Sequence, residues 1–327
     1  MMTRRAILFA CASLIASPRP LWAQSAKGLP RVAMLYPGSP VQRNELAQAF
    51  LHAMRENGYV DGRDFTFDLR YVGTSAGELD RALGDLLPPG PAVIVTIGSP
   101  GAWAAKKATS TIPIVMATVA DPVGQGLVAS LARPGGNLTG NAILADEVVV
   151  KRLELLHEVL PTARRISVLD NRSNPAQEIA WIRLEAAAKQ LGVTLRRFDA
   201  PSTSVVAAVL EEIARQRPDA LMVSTDNVFF LARSTVVRAI SRYRIPAVHP
   251  FKEDVVEGGL MSYANSTEAM FRRAAVFVVR ILKGARPSEL PVEQATKFEL
   301  FINLKTAKAM GLTIPPSVLA RADQVIE

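Results

Sequence analysis

Apolar residues recur along this chain in two alternating rhythms. Short runs rich in Val, Ile and Leu alternate with stretches in which apolar positions return every three or four residues. RVAMLYP (31–37) reads as a buried strand. NELAQAFLHAMRENG (44–58) follows with helical spacing at Leu46, Phe50 and Met54 and a stop at Gly58. Next come strand FTFDLRYV (65–72), helix AGELDRALGDLL (76–87), strand AVIVTIG (92–98), helix AWAAKKATS (102–110) and strand IPIVMATV (112–119). VGQGLVASLA (123–132) reads as a short helix.

The series then restarts. NLTGNAI (137–143) leads into helix DEVVVKRLELLHEVL (146–160), strand RRISVLD (164–170) and helix PAQEIAWIRLEAAAKQLG (175–192). Strand TLRRFDA, helix SVVAAVLEEIARQR, strand ALMVSTD, helix VFFLARSTVVRAISRYR and strand IPAVHP complete it. Strands without polar alternation, each followed by a helix, imply parallel sheets covered on both faces. The fold class expected is α/β, two doubly wound parallel-sheet lobes joined by a multi-strand hinge. The expected division is 30–140 plus about 250–290 for the first lobe and 141–249 plus about 291–327 for the second. Residues 1–23 stand apart. Arg4 and Arg5 precede an apolar run to Ala16, then Pro18, Pro20 and a small residue at Ala23. This is the order of a cleaved secretory signal peptide, which implies a periplasmic protein.

Composition narrows the chemistry. The chain of 327 residues carries a formal charge of +8, spread without any block of five like charges. Removing Arg4, Arg5 and Arg19 with the signal leaves five of those charges. A nucleic-acid partner is not expected. The single cysteine, Cys11, lies within the signal, so neither a disulfide nor thiol chemistry is expected. Three histidines at no ligand spacing, and the absence of Gly-rich phosphate loops, argue against a metal or any other cofactor. Ser99 in TIGSPG does not fit the G-x-S-x-G elbow, and His249 is the one histidine at a strand end, so a catalytic set finds little support.

Open parallel sheets bind ligands at the carboxyl ends of their strands. In the first lobe those loops are YPGSP with Tyr36 and Ser39, GSPG with Gly98, Ser99 and Pro100, and ADPVG with Asp121; Asn141 lies just beyond. In the second they are DNRSNP with Asn171, Ser173 and Asn174, STDN with Asp226 and Asn227, and HPFKE with Phe251. Ser99 fits a helix N-cap before Pro100, and the same helix start suits a carboxylate. Asp226 fits an N-cap for the helix that follows, and as a carboxylate at a strand mouth it also suits an ammonium group. Tyr36 and Phe251 read as wall or core residues.

DPVGQGLVASLARPGGNLTG (121–140) resembles the signature of ABC-transporter substrate-binding proteins related to tryptophan- and tyrosine-binding proteins. GSPGAWAAKKATSTIPIVMATVADPVG, KRLELLHEVLP, EAAAKQLGV, GGLMSYA and the segment from FRRAAVFVVRILKG to the end are similar to it too, so the resemblance runs over the whole chain beyond the signal. It implies a type I periplasmic-binding-protein fold whose lobes close on a small ligand, an amino acid or related carboxylate, and then meet an inner-membrane ABC permease. It also implies that Gly98, Ser99, Pro100 and Asp121 face the ligand from one lobe, and Asn171, Ser173, Asn174, Thr225, Asp226 and Asn227 from the other. Asp226 would hold the α-ammonium, and the amides and hydroxyls around Ser99 the carboxylate. A ligand sensor facing a membrane receptor, or an enzyme on the same lobes, would use the same cleft.

Overall fold

The computed structural model describes residues 28–38, 45–73, 75–88, 90–143 and 145–327. Residues 1–23, read from the sequence as a signal peptide, and Ser39 lie outside them. The chain runs β1 (Arg31–Pro37), α1 (Glu45–Glu56), β2 (Thr66–Val72), α2 (Ala76–Leu86), β3 (Val93–Ile97), α3 (Gly98–Ala108), β4 (Ile114–Ala120) and β5 (Leu138–Ile143). It continues through α4 (Ala145–Val159), β6 (Arg165–Asp170), α5 (Pro175–Leu191), β7 (Thr194–Asp199), α6 (Val206–Arg215), β8 (Ala220–Val223), α7 (Asn227–Leu231), α8 (Arg233–Tyr243) and β9 (Ala247–His249). Then come α9 (Lys252–Val256), β10 (Met261–Asn265), α10 (Thr267–Leu282), β11 (Glu293–Gln294), β12 (Phe298–Asn303), α11 (Leu304–Met310), α12 (Pro316–Leu319) and β13 (Gln324–Ile326).

Two sheets result, ordered β11-β5-β4-β3-β1-β2 and β13-β12-β10-β9-β8-β6-β7. In the first, Val32, Met34, Val93 and Val95 pack with Phe50 of α1 and Phe271 and Phe277 of α10. Ala33, Leu35, Ile94 and Met116 face the opposite way, onto Leu79 and Leu83 of α2 and Ala102 and Ala105 of α3. Burial on both faces is why these strands lack polar alternation. The second sheet is sandwiched likewise, with Ile166, Val168 and Met222 on one face and Leu169, Leu221 and Val223 on the other.

The chain passes between the lobes just after Ile143, between β10 and α10, and between β11 and β12. The expected division is displaced accordingly. β5 pairs with β4, so residues 141–143 lie in the first sheet. β10 pairs with β9 through Met261↔Val248, so it lies in the second. β11 returns to pair with β5 through Glu293↔Asn141. β12 enters the second lobe at the end where β10 left it, and the two strands are therefore antiparallel, Met261↔Ile302. The short helix expected over 123–132 does not form. Gly126, at φ +72°, breaks the run, and turns such as Gln125 N to Asp121 O and Leu127 N to Pro122 O replace it.

Candidate functional site

A cavity opens between the carboxyl ends of the two sheets, where the strand-end rule places ligands. The first lobe lines it with Tyr36, Gly98, Ser99, Pro100 and Thr118, and the second with Asn174, Trp181, Asp226, Phe230 and Phe251. The walls are aromatic. Tyr36 meets Phe271 at 6.3 Å between ring centroids, and Phe230 meets Phe251 edge-on at 5.1 Å. The lobes touch where Asn227 Nδ2 donates to the Ile97 carbonyl at 3.3 Å. Gly98, at φ +76°, has to be glycine there, since a Cβ would stand 2.7 Å from Asn227 Nδ2.

Asp226 is the centre of the polar part. It is buried, precedes α7 as its N-cap, and accepts from the Val228 amide at 2.8 Å through Oδ1. Asn171 Nδ2 donates to the same oxygen at 3.1 Å, and Asn174 Nδ2 donates to Oδ2 at 2.7 Å. Capping and cavity lining, the two alternatives read from the sequence, thus coexist in one carboxylate. Burial raises its pKa, and the bonds from Asn174, Val228 and Asn171 only partly offset that. All these donors are neutral, and among the described residues no cation pairs directly with the charge. Asp170 also lines the cavity, but Arg197 Nε donates to it at 2.6 Å.

Two further charges face the cavity. Burial pushes the Glu253 carboxyl up. Arg152, 2% exposed on α4, donates to Tyr263 O, Thr225 Oγ1 and Pro250 O, all uncharged acceptors. Burial lowers its guanidinium to about 10, opposed by the through-space charge of Asp254. Neither residue, nor Trp181, was anticipated. Arg152 had a legible signal: Val148, Arg152, Leu155 and Val159 form one helical stripe, and an arginine on an apolar stripe is out of place.

Of the residues nominated from sequence, Tyr36, Gly98, Ser99, Pro100, Asn174, Asp226, Asn227 and Phe251 line the cavity. Asn171 acts one step behind, on Asp226, and Ser173 Oγ donates to Asn171 Oδ1 at 2.5 Å. Ser99 does not cap α3. The helix begins at Gly98 and Ser99 Oγ accepts from Gln125 Nε2 at 3.0 Å. Asp121 does not line the cavity. At φ +35° it closes its own turn, accepting from the Gly124 amide at 2.8 Å. Asn141 does not line it either. Its Nδ2 donates to Ala117 O at 3.1 Å and Met270 O at 2.9 Å, tying β4, β5 and the start of α10 together at a crossing. Asn141→Ala removes both of these bonds at once and is expected to cost about 2 kcal/mol in urea unfolding.

The description "ABC transporter substrate binding protein" matches residues 32–326. The chain belongs to this family. Its two lobes have the type I periplasmic-binding-protein fold, as the resemblance implied. This substrate-binding protein is 28% identical over 265 residues to a tyrosine-binding protein of Clostridioides difficile, covering 81% of this chain and 76% of that one. A structure from Streptococcus pneumoniae in complex with L-Trp is 27% identical, with a TM-score of 0.83, covering 91% of this chain and all of the other. A conserved domain protein from Vibrio cholerae is 29% identical, with the same TM-score and coverage. The Clostridioides difficile relative is named for binding tyrosine, and the Streptococcus pneumoniae structure holds L-Trp. His249, through which an enzymatic reading would run, is wholly buried 3.5 Å from Asp254 and does not line the cavity.

Proposed function

We propose that this substrate-binding protein works outside the cytoplasmic membrane as the receptor of an ABC importer, and that its ligand is an amino acid, most naturally an aromatic one, held in the inter-lobe cavity. The observation that carries this is Asp226, a buried carboxylate lining the cavity and satisfied only by neutral donors. An α-ammonium is the group that would neutralise it. The walls of Tyr36, Trp181, Phe230 and Phe251 suit a flat apolar side chain. The named ligands of the relatives, tyrosine and L-Trp, support the same class. Closure of the lobes takes the place of a catalytic step, and the closed face meets a permease. The reading requires no cofactor or metal.

A thermal-shift screen against amino acids, sugars and purines tests the ligand class. At about 100 times its dissociation constant, a true ligand adds about 2.7 kcal/mol of stability. Tyrosine, tryptophan or phenylalanine is expected to raise the Tm. A shift with sugars or purines and none with amino acids would sink the reading.

A further inference from the structure

Arg152 is costly where it stands. Of the five N–H groups of a guanidinium, three donate: Nε to Tyr263 O at 2.6 Å, Nη1 to Thr225 Oγ1 at 2.8 Å and Nη2 to Pro250 O at 3.4 Å. Among the described residues no carboxylate lies within ion-pair distance of it. The partly buried Arg197 of the same lobe shows the contrast, since it pairs with both Asp170 and Glu178. A desolvated charge whose counter-charge, Asp254, acts only through space and not by a direct ion pair opposes folding, so a group of this kind is better explained by what enters the cavity than by the empty fold. Two N–H groups remain for that purpose, one on each terminal nitrogen. That is the fork that matches a carboxylate.

The placement fits as well. Arg152 holds the hydroxyl of Thr225, the residue immediately before Asp226, and both Arg152 and Asp226 line the cavity. A cation and an anion therefore face the same ligand space, as the two charged groups of a bound α-amino acid require. The start of α3, the other candidate for the carboxylate, is less well furnished. Pro100 has no N–H, and the Ser99 hydroxyl, which accepts from Gln125, has a single O–H to donate and no full charge.

We propose that Arg152 receives the α-carboxylate of the ligand, so that the cavity selects amino acids with a free carboxylate and rejects the corresponding amides and amines. This rests on the amino-acid reading above.

The test is titration calorimetry of the exported chain with L-tyrosine, L-tyrosinamide and tyramine, and with the tryptophan series. Wild-type protein should bind the acid at least about 30-fold more tightly than the amide or amine, the low end of the effect of removing one partner of a buried charge pair. Arg152→Gln should narrow that preference to about threefold or less, and Arg152→Lys should restore part of it, with circular dichroism reporting the fold of each. Equal wild-type affinity for acid and amide overturns the inference and leaves the amino-acid reading intact. So does a folded Arg152→Gln protein that still discriminates. Where Arg152→Gln fails to fold, Arg152→Lys decides: a folded Lys variant should show a reduced preference for the acid over the amide, and an undiminished preference overturns the inference. Wild-type protein that binds none of the amino acids overturns the reading of the ligand class, and the inference falls with it.

Discussion

Asp226→Asn is expected to weaken amino-acid binding by about 30-fold to more than 1,000-fold, because it removes the charge opposite the ammonium while keeping the side chain's shape. Calorimetry on the folded variant measures it; unchanged affinity would take Asp226 out of the site. The wild-type protein should also show a pH signature. Burial raises the Asp226 carboxyl above its ordinary 3.8 in the ligand-free fold. The stabilising contribution of this group is therefore present below the unfolded aspartate value and is lost as pH rises through the folded one. An ammonium ligand binds the ionised form and reverses the loss. The Tm gain from a saturating amino acid should thus grow as pH rises through a window that lies above 3.8, and Asp226→Asn should flatten it.

Gly140→Ala is expected to destabilise the chain by about 4 kcal/mol or more, or to prevent folding. Gly140 sits in β5 at φ +129°, and a Cβ there would lie 2.3 Å from Met116 O and 2.6 Å from Met116 N. Those are backbone atoms of the neighbouring strand, so no rotamer change relieves the clash, and the left-handed backbone adds strain of its own. The β4–β5 register shifts between Met116 and Val119, next to this contact. Urea unfolding of the variant gives the loss directly; a cost under 1 kcal/mol would show that β4 and β5 can separate locally.

The βα alternation was legible because strands covered on both faces must be apolar throughout, and Val32 to Tyr36 or Ala220 to Val223 could be little else. Much of the cavity followed from it, since Gly98, Asn174 and Asp226 all stand at strand ends. What escaped was pairing and distance. GLMSYAN announces a strand but not its neighbour, so the placing of β10 beside β9 was invisible. Asp121 looked like Asp226, an acid after a strand, yet the two part company over local chain direction: one folds back onto Gly124, the other turns into a helix at the cavity. Arg152 was hidden by the charged company of KRLELL, where only the helical stripe separates a surface arginine from a buried one.

The threefold crossing has a consequence for how the chain is made. The core of the first lobe takes Phe271, Phe277 and Ile281 from α10, while its sheet takes its edge strand from residues 293–294. Synthesis delivers these only after the whole βα series of the second lobe has been made. The lobe that begins first is thus the one that cannot finish until nearly the entire polypeptide is present. Its Phe50 and Met54 must wait uncovered, or be shielded by other proteins, until then. The early segment is accordingly the part of the newborn chain most exposed to mispairing, and any protein that holds this chain unfolded has its natural foothold there.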